Sequence, residues 1–350
     1  MESIHKVLIA GIGGASLGTE ILKCLMLAGR YAIFGCDVSR YAFGLYAHGF
    51  ERTFLVDRSN YADSVIGACR NAGTQCVIPG GEEPMMLLSR SASRLKSAGI
   101  HLATNLPAVI EKFTDKKSTF EALGKMGFKT PLTVAVEQRS DLDQMAFPCI
   151  VKPAVGTGGS SFVFCAENYE EAWLYSAYLI KNGKPCIVQE YIPEKEGEFT
   201  VGVLSLPDGR LVGSIALRRI FDAKLSVLSR GKSGLISSGY SQGLVDDFPE
   251  VCAEAERIAV SIGSCGPLNI QGRVRNGTLI PFEINPRFSA SAYLRALAGF
   301  NEVDLYLQFV LKGVEPSARA IRPGYYLRSL CEIYVAPNKV SQWSIGSQTV

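Results

Sequence analysis

Strand-like and helix-like segments alternate along the first third of this 350-residue chain, and no other feature constrains the fold as strongly. The apolar run Val7–Ala10 precedes a glycine-rich turn and an amphipathic helix predicted over Thr19–Ala28. The two patterns then repeat, with strands at Tyr31–Cys36, Thr53–Val56, Cys76–Pro79 and His101–Ala103, and helices at Tyr61–Ala72 and Met85–Ala98. This order predicts an α/β domain built on a parallel sheet with helices on both faces.

After residue 106 the chain becomes rich in strands. Two short helices are predicted first, over Ala108–Phe113 and Lys116–Met126, with Thr114 or Asp115 as the N-cap of the second and Gly127 after its end. The strands that follow are predicted at Cys149–Pro153, Ser161–Cys165, Cys186–Tyr191, Glu198–Leu206 and Arg210–Ile220, and in a hairpin across residues 267–285. Few helices separate these strands, which favours an α+β region with antiparallel sheets.

Composition narrows the functional classes. The net charge is +3 and the chain has no long basic run, so nucleic acid is not an expected partner. We expect no membrane span and no secretory signal, and therefore a cytoplasmic protein. The ten cysteines include no C-x-x-C pair, and several lie in apolar strand-like runs, which favours buried thiols in a reducing compartment. With only three histidines, a histidine-ligated zinc site or a histidine-dependent triad is not expected.

The segment from Leu279 to Arg287 carries the strongest chemical signal. Residues i and i+2 of a strand point to the same face, so Glu283 and Asn285 would present two hard oxygen ligands to one point. Pro286 should end the strand and leave Arg287 on a loop beside that point. Oxygen ligands with a nearby arginine suit a magnesium ion that carries nucleotide phosphates. The alternative is an ordinary strand with a solvated polar edge.

A second signal is a lysine that precedes a glycine-rich loop. The strand ending Val151-Lys152-Pro153 leads into Gly156-Thr157-Gly158-Gly159-Ser160-Ser161 and then into another strand. Glycines let backbone N–H groups approach phosphate oxygens, and the hydroxyl groups add donors. Phosphate binding is therefore predicted for Lys152 and this loop, and a flexible hairpin tip is the alternative.

A third signal follows the strand that ends at Gln189-Glu190-Tyr191-Ile192-Pro193. A strand that breaks at proline leaves backbone groups that can hydrogen-bond an adenine edge. Glu198, which comes after the next turn, could accept hydrogen bonds from ribose hydroxyls. A charged surface turn is the alternative.

The first glycine turn, residues 11–18, is a weaker signal. It follows a strand and opens a helix, and Asp37 at the end of the second strand could hold a ribose, as in a dinucleotide site. However, the fingerprint requires glycine at position 16, where this chain has Ser16. Glycines in such a turn are also needed for strand–helix packing without any ligand.

Taken in order, these segments resemble the ATP-grasp superfamily, and most closely its branch of carbamoyl phosphate synthetase large subunits and biotin carboxylases. The likeness covers residues 1–315 and includes Asp115-Lys116-Lys117 and Asn269-Ile270-Gln271. It implies a Rossmann-like pre-ATP-grasp domain at 1–106, a small lobe at 107–190, a large lobe at 191–320 and a C-terminal extension at 321–350. ATP and Mg²⁺, or Mn²⁺, are the implied cofactors. The site residues that it implies for the nucleotide and the metal are Lys116, Lys152, Gly158, Gly159, Ser160, Ser161, Glu190, Tyr191, Ile192, Glu198, Gln271, Glu283 and Asn285.

The chemistry implied by the resemblance joins a small-molecule carboxylate to an amine through an acyl phosphate. Arg287 would stabilise the transferred phosphoryl group, and Arg218 or Arg219 would hold the carboxylate or the acyl phosphate. Glu82 and Glu83 are the candidates for the amine. The Gly- and Ser-rich residues 222–243 are expected to include a loop that closes over the site.

Two departures and two alternatives qualify this resemblance. Members of the branch that make carbamoyl phosphate carry a further arginine after Asn-Pro-Arg, where this chain has Ala290, and the chain is a single copy. Carbamoyl phosphate synthesis and biotin carboxylation themselves are therefore not expected. The alternatives are an NAD-dependent oxidoreductase using the first glycine turn and a nucleotide-binding regulator without turnover. The resemblance also suggests a homodimer through the N-terminal domain.

The register of the last hairpin can be predicted independently. A two-residue turn at Asn276-Gly277 would place Gln271 and Glu283 on opposite faces, whereas a three-residue loop starting at Arg275 places them on one face. A shared metal therefore predicts the three-residue loop, with Gly277 at positive φ and a bulge.

Overall fold

The computed structural model describes residues 4–15, 17–155, 162–317 and 320–348. Its N-terminal domain has a five-stranded parallel sheet in the order β3-β2-β1-β4-β5. The strands are β1 (His5–Ala10), β2 (Tyr31–Asp37), β3 (Arg52–Leu55), β4 (Cys76–Pro79) and β5 (His101–Leu102), and the helices are α1 (Leu17–Ala28), α2 (Tyr61–Ala72), α3 (Glu82–Ser89) and α4 (Ala92–Ser97). The predicted parallel α/β domain is confirmed. The single helix predicted over Met85–Ala98 is instead two helices, α3 and α4.

Helices cover both faces of this sheet because the central strand is apolar on both sides. Val7 and Ile9 pack with Leu25 of α1 in one buried cluster. Leu8, which points to the other face, packs with Val65 of α2 in another. Alternate residues of β1 thus belong to different cores, as expected for a parallel sheet buried on both faces.

The small lobe follows, with two helices before a four-stranded antiparallel sheet in the order β6-β9-β7-β8. Its elements are α5 (Pro107–Thr114), α6 (Lys116–Lys125), β6 (Thr133–Val136), β7 (Cys149–Pro153), β8 (Phe164–Ala166), α7 (Tyr169–Lys181) and β9 (Cys186–Glu190). β7 and β8 are antiparallel neighbours, as predicted for the strands on either side of the glycine-rich segment, which itself lies outside the described residues.

The N-cap of α6 fixes the position of Lys116, the first residue of that helix. The Asp115 side chain accepts a 2.7 Å hydrogen bond from the Ser118 backbone N–H, and Gly127 follows the helix end with φ of +82°. The backbone N–H of Lys116 donates to Ala154 at 2.9 Å, which places the start of α6 beside the end of β7. Both predicted helix ends are confirmed.

Removing the cap is expected to destabilise the small lobe. Asp115→Ala leaves an N-terminal amide of α6 without its acceptor and should lower the free energy of unfolding by about 1 kcal/mol, measured by urea denaturation. Asp115→Asn keeps an acceptor and should lose at most a few tenths of a kcal/mol. Equal losses in the two variants would contradict the capping role.

The large lobe contains a six-stranded antiparallel sheet in the order β16-β15-β10-β11-β14-β17 and a separate hairpin of β12 and β13. Its strands are β10 (Glu198–Ser205), β11 (Leu211–Arg219), β12 (Val227–Arg230), β13 (Leu235–Ser237), β14 (Gly243–Val245), β15 (Pro267–Arg275), β16 (Thr278–Asn285) and β17 (Gly324–Tyr326). Its helices are α8 (Pro249–Ser261), α9 (Ala292–Leu297) and α10 (Glu302–Lys312), and α11 (Pro337–Ser341) follows in the C-terminal segment. The predicted antiparallel α+β region is confirmed.

The register of the β15–β16 hairpin differs from the prediction. Arg275 pairs with Thr278 across a two-residue turn, in which Asn276 and Gly277 have φ of +51° and +70°. Two positive φ values define the turn that Asn-Gly favours in hairpins, so local turn chemistry decided the loop length. The predicted three-residue loop is therefore wrong, although the positive φ of Gly277 is confirmed.

The C-terminal segment returns to the N-terminal sheet and covers its edge strand β3. Gly346 donates its backbone N–H to Leu55 at 2.9 Å, and Leu55 donates to Ser347 at 3.1 Å. Upstream, Arg328 forms a buried 2.9 Å ion pair with Glu20 of α1. The extension thus pairs an edge that would otherwise be open and links the large lobe to the N-terminal domain. In the part of the chain that the structure describes, no helix combines the length and apolar character needed to cross a bilayer.

Candidate active site

Gln271 and Glu283 lie directly opposite each other on β15 and β16. The pairing shifts between Gln271 and Gly272, where Phe282 is an extra residue in β16. Without a bulge, the two-residue turn would place Glu283 on the opposite face of the sheet from Gln271. The extra residue shifts the register by one, so the two side chains lie on the same face. The Gln271 side-chain amide donates to a Glu283 carboxylate oxygen at 2.5 Å. The two predicted ligands therefore do meet, through a bulge that the sequence did not indicate.

Asn285 lies two residues beyond Glu283 and completes a set of three oxygen-bearing side chains. Its Oδ1 accepts a 3.2 Å hydrogen bond from Arg287, and its buried Nδ2 has no hydrogen-bond partner within the described residues. One carboxylate and two side-chain amides suit a hard divalent cation such as Mg²⁺. Among the described residues, no group of three or more His, Cys, Asp or Glu side chains is arranged to hold a metal ion.

Lys152 points into the cleft beside these residues. Its ammonium group is buried and donates to Gln189 Oε1 at 2.8 Å and to the Phe282 carbonyl at 3.1 Å. Burial, and after it the positive charge of Lys116, lowers the pKa of Lys152 to about 7. An anion at this point would restore the charged form. The structure thus brings both predicted lysines to the cleft that Glu283 lines.

The cleft between the two lobes is also lined by the end of β9 and by β13. Tyr191 is buried, and its hydroxyl donates to Glu194 at 2.5 Å and accepts from the Leu235 N–H at 2.9 Å. Glu190 lines the cleft as well, although its carboxylate pairs with Arg275 and accepts from the Leu132 N–H. The main residues that line the cleft are Lys116, Lys152, Gln189, Glu190, Tyr191, Ile192, Glu198, Leu235, Ile236, Ser237, Gln271, Arg273 and Glu283.

Glu198 is fully buried between two arginines. Arg273 donates to its Oε2 at 2.8 Å, and Arg219 lies 3.4 Å from its Oε1. Considering only the described part of the chain, Oε1 has no hydrogen-bond partner. Arg219 therefore faces the interior, whereas the side chain of Arg218 is exposed. Neither of these pairings was predicted.

Arg287 lies on the loop after β16, as expected, and is partly buried. It donates to the Phe288 carbonyl at 2.9 Å in addition to Asn285. Burial lowers the pKa of its guanidinium, while the carboxylates of Glu82 and Glu283 act in the opposite direction. Glu82 lines a narrow crevice with Glu283 and Asn285, but Glu83 turns away and forms an exposed 2.5 Å ion pair with Arg58. The two adjacent glutamates thus face different surroundings.

Two glycines of the first turn, Gly14 and Gly18, pack closely against protein atoms, although Gly11, Gly13 and Asp37 also line a small cavity. A side chain at Gly14 would come within 2.5 Å of Phe43, and one at Gly18 within 2.0 Å of the Gly11 carbonyl oxygen. Both carboxylate oxygens of Asp37 already accept backbone N–H groups, from Ile12 at 2.8 Å and from Ser39 at 3.0 Å. These glycines and this aspartate therefore have a packing role that does not require a dinucleotide. Ser16 lies outside the described residues.

Four predicted phosphate-binding residues, Gly158, Gly159, Ser160 and Ser161, lie outside the described residues as well. Among the charged residues that line the cleft, Arg273 was not predicted from the sequence. It lies two positions after Gln271 on the same strand, so the face rule applied to Glu283 and Asn285 would have found it.

Comparisons with known proteins agree with this geometry. A family model described as an ATP-grasp domain matches residues 113–291, just over half of the chain. The carbamoyl phosphate synthase large chain of Vibrio cholerae is 25% identical over 217 residues, which are 59% of this chain and 19% of that protein. The chain thus spans about a fifth of the length of this curated relative.

Solved structures share the fold over nearly the whole chain. An L-amino acid ligase from Bacillus licheniformis has a TM-score of 0.63 at 16% identity, over 90% of this chain and 76% of that one. The biotin carboxylase domain of 2-oxoglutarate carboxylase from Hydrogenobacter thermophilus, solved with MgADP and bicarbonate, has a TM-score of 0.65 at 15% identity, over 93% and 74%. Together with the family match, this places the chain in the ATP-grasp family, whose members are ATP-dependent ligases.

Proposed function

We propose that this protein is an ATP-dependent carboxylate–amine ligase that forms an amide or peptide bond through an acyl phosphate. The observation that carries the proposal is the convergence of Gln271, Glu283 and Lys152 on one cleft between two lobes, with Asn285 lining the adjoining crevice beside Glu283. Oxygen ligands for a cation stand next to a buried ammonium group, which is the arrangement that a magnesium–nucleotide phosphate needs.

The proposed reaction has two steps. A carboxylate oxygen of the first substrate attacks the γ-phosphorus of ATP, and ADP leaves with the electrons of the broken P–O bond. The amine then attacks the acyl carbon, inorganic phosphate leaves, and the amine loses a proton. Phosphoryl transfer requires little covalent catalysis by the protein, so positioning and charge stabilisation suffice. The reaction therefore does not depend on histidine, of which the chain has only three.

The described residues have distinct roles in this proposal. Gln271, Glu283 and Asn285 would hold Mg²⁺, which neutralises phosphate charge when it is bound. Lys152 and Lys116 would bind phosphate oxygens. Arg287 would stabilise the transferred phosphoryl group. Arg219 would lie near the substrate carboxylate, and Glu82 near the amine. Of the two arginines proposed for the carboxylate, Arg219 is the one that faces the interior beside Glu198, whereas Arg218 is exposed.

The β12–β13 hairpin would exclude water from the acyl phosphate. Leu235, Ile236 and Ser237 of β13 line the cleft. An acyl phosphate hydrolyses in water, so a covered cleft protects it until the amine arrives.

A phosphate-release screen tests the proposed function. Carboxylic acids are crossed with amines, including amino acids in both sets because one structural neighbour is an L-amino acid ligase. We expect phosphate release with one or more pairs, with release dependent on both partners and matched by a new amide detected by mass spectrometry. ADP–Mg binding without phosphate release for any pair would favour the regulator instead.

Nucleotide affinity is expected to fall as the pH rises above 7. The pKa of Lys152 is lowered to about 7, so the free protein has lost about half of this positive charge at pH 7 and loses the rest as the pH rises further. A bound phosphate favours the protonated form and raises that pKa. The Kd for ADP–Mg should therefore increase up to about tenfold per pH unit between pH 7 and 9, with proton uptake on binding.

Calorimetry in buffers of different ionisation enthalpy measures both quantities. In Lys152→Arg the charge persists at every pH in this range, so the proton uptake and the pH dependence should disappear even if the affinity changes. A wild-type Kd that stays constant from pH 6 to 9 would contradict the assignment of Lys152.

A further inference from the structure

Arg273 makes contacts with three separate parts of the cleft. Its side chain is 7% exposed and lies on β15, two residues after Gln271. Nε donates to Glu198 Oε2 at 2.8 Å, Nη1 donates to the Ile192 carbonyl at 2.6 Å, and Nη2 donates to the Leu235 carbonyl at 2.9 Å. Each nitrogen of the guanidinium thus has a different partner, a geometry that lysine cannot reproduce.

Two of these partners belong to the side of the cleft proposed for adenosine. Ile192 follows the end of β9, and Glu198 begins β10. The guanidinium also lies 4.7 Å from the centre of the Tyr191 ring, within the range of a cation–π contact. Arg273 therefore fixes the relative positions of the β9 end and of Glu198.

The third partner belongs to the β12–β13 hairpin, residues 227–237, hereafter the lid hairpin. Both backbone groups of Leu235 are held, the carbonyl by Arg273 and the N–H by the Tyr191 hydroxyl at 2.9 Å. Gly234 packs so closely that a side chain there would come within 2.5 Å of Cys165 and 3.3 Å of the Tyr191 ring. The inner strand of the lid hairpin is therefore clamped to the wall of the cleft.

A second arginine connects the same carboxylate to the end of the lid hairpin. Arg219, 3.4 Å from Glu198, donates to the Ser238 carbonyl at 2.7 Å. Both guanidinium groups thus contact Glu198, and each also donates to a backbone carbonyl in or next to the lid hairpin, Arg273 to Leu235 and Arg219 to Ser238. Its Oε1 has no hydrogen-bond partner in the described regions, although the Arg219 guanidinium lies 3.4 Å away.

We propose that Arg273 is a positioning residue that couples binding of the adenosine half of the nucleotide to closure of the lid hairpin. The proposal rests on the proposed function, since it presupposes that the cleft binds an adenine nucleotide. The reason is geometric: one rigid guanidinium joins the β9 end and Glu198, which would contact base and ribose, to Leu235, which covers the cleft. Hydrogen bonds to a buried charged group are strong, so loss of this one side chain should uncouple the two events.

Affinity measurements with two ligands separate this role from general destabilisation. In Arg273→Gln we expect the Kd for ADP–Mg to rise about 10- to 100-fold, because the adenosine-side contacts lose their anchor. The Kd for tripolyphosphate–Mg, which lacks adenosine and relies on Lys152 and the metal ligands, should change less than about threefold. Arg273→Lys keeps the charge without the fork and should recover only part of the ADP–Mg affinity.

Tryptic cleavage reports the position of the lid hairpin directly. Arg230 and Lys232 are exposed residues at its tip, and mass spectrometry identifies cleavage after either one. In wild type, ADP–Mg should slow this cleavage. In Arg273→Gln, cleavage should be faster without ligand and should gain little protection at saturating ADP–Mg. Arg257→Gln, which changes an exposed arginine on α8, is the matched control and should behave as wild type.

Tyr191→Phe provides a second variant that leaves the buried charges intact. It removes only the hydroxyl that accepts from Leu235, so faster cleavage after Arg230 or Lys232 is expected in a stably folded protein. Unchanged ADP–Mg affinity and protection in Arg273→Gln, or equal losses for ADP–Mg and tripolyphosphate–Mg, would overturn the proposal. If wild type fails to bind ADP–Mg at all, the proposed function fails first, and the two failures are thereby distinguished.

Discussion

A Glu283→Gln variant is expected to release phosphate at least about a hundredfold more slowly than wild type, with any substrate pair that supports turnover. Glu283 is the one carboxylate among the three proposed magnesium ligands, and it lies opposite Gln271 with their side chains 2.5 Å apart. The substitution keeps the size of the side chain and removes the negative charge that a divalent cation requires. Steady-state phosphate release at saturating ATP and Mg²⁺ measures the effect.

Two comparisons make this result specific. Glu250→Gln changes an exposed glutamate on α8 and should leave the rate within about twofold of wild type, as surface substitutions generally do. Raising the Mg²⁺ concentration should recover part of the lost Glu283→Gln rate, because the missing ligand weakens the cation's affinity. A Glu283→Gln enzyme that turns over at the wild-type rate would contradict the metal site.

Breaking the ion pair between Arg295 and Glu302 is expected to destabilise the large lobe by about 3–5 kcal/mol. The guanidinium of Arg295 is fully buried, lies 2.7 Å from the carboxylate of Glu302, and also donates to Asn269 at 3.1 Å. Glu302→Gln leaves a positive charge in the core with no negative partner in contact. Urea denaturation measures the lost free energy of unfolding, and thermal denaturation should show the same order of stability.

An exposed pair and a double substitution serve as controls. Glu315→Gln breaks the exposed pair with Arg210 and should cost less than about 1 kcal/mol. Replacing both buried partners, as Arg295→Met with Glu302→Leu, removes both charges and should recover most of the stability that Glu302→Gln loses. A loss below about 1 kcal/mol in Glu302→Gln would show that the buried pair is not important for the stability of the large lobe.

Local patterns predicted most of the fold. The alternation around Val7–Ala10 indicated the parallel sheet, and Asp115 and Gly127 marked both ends of α6 because capping depends on a few neighbouring residues. The length of the β15–β16 turn was predicted wrongly. The prediction required Gln271 and Glu283 to share a face for a common metal, and it gave this requirement more weight than the preference of Asn-Gly for a two-residue turn. The structure satisfies both, since the bulge at Phe282 restores the shared face.

The candidate site was only partly predictable. The rule that residues i and i+2 of a strand share a face predicted that Glu283 and Asn285 lie side by side, because it requires only that the segment is a strand. It could not show that Arg219 and Arg273 share Glu198, since those pairings join three strands whose register depends on the whole sheet. Nor could it show that residues 346–347 return to β3, which depends on contacts almost three hundred residues apart. Long-range pairing is set by tertiary packing, and sequence periodicity does not report it.

Calorimetric titration of the wild-type protein with ADP in the presence and absence of Mg²⁺, alongside NAD, tests the central claim most directly. We expect that ADP binds, that Mg²⁺ strengthens the binding by about tenfold or more, which is about 1.4 kcal/mol, and that NAD gives no heat of binding. Binding of NAD without binding of ADP–Mg would contradict the nucleotide cleft and return the first glycine turn to consideration.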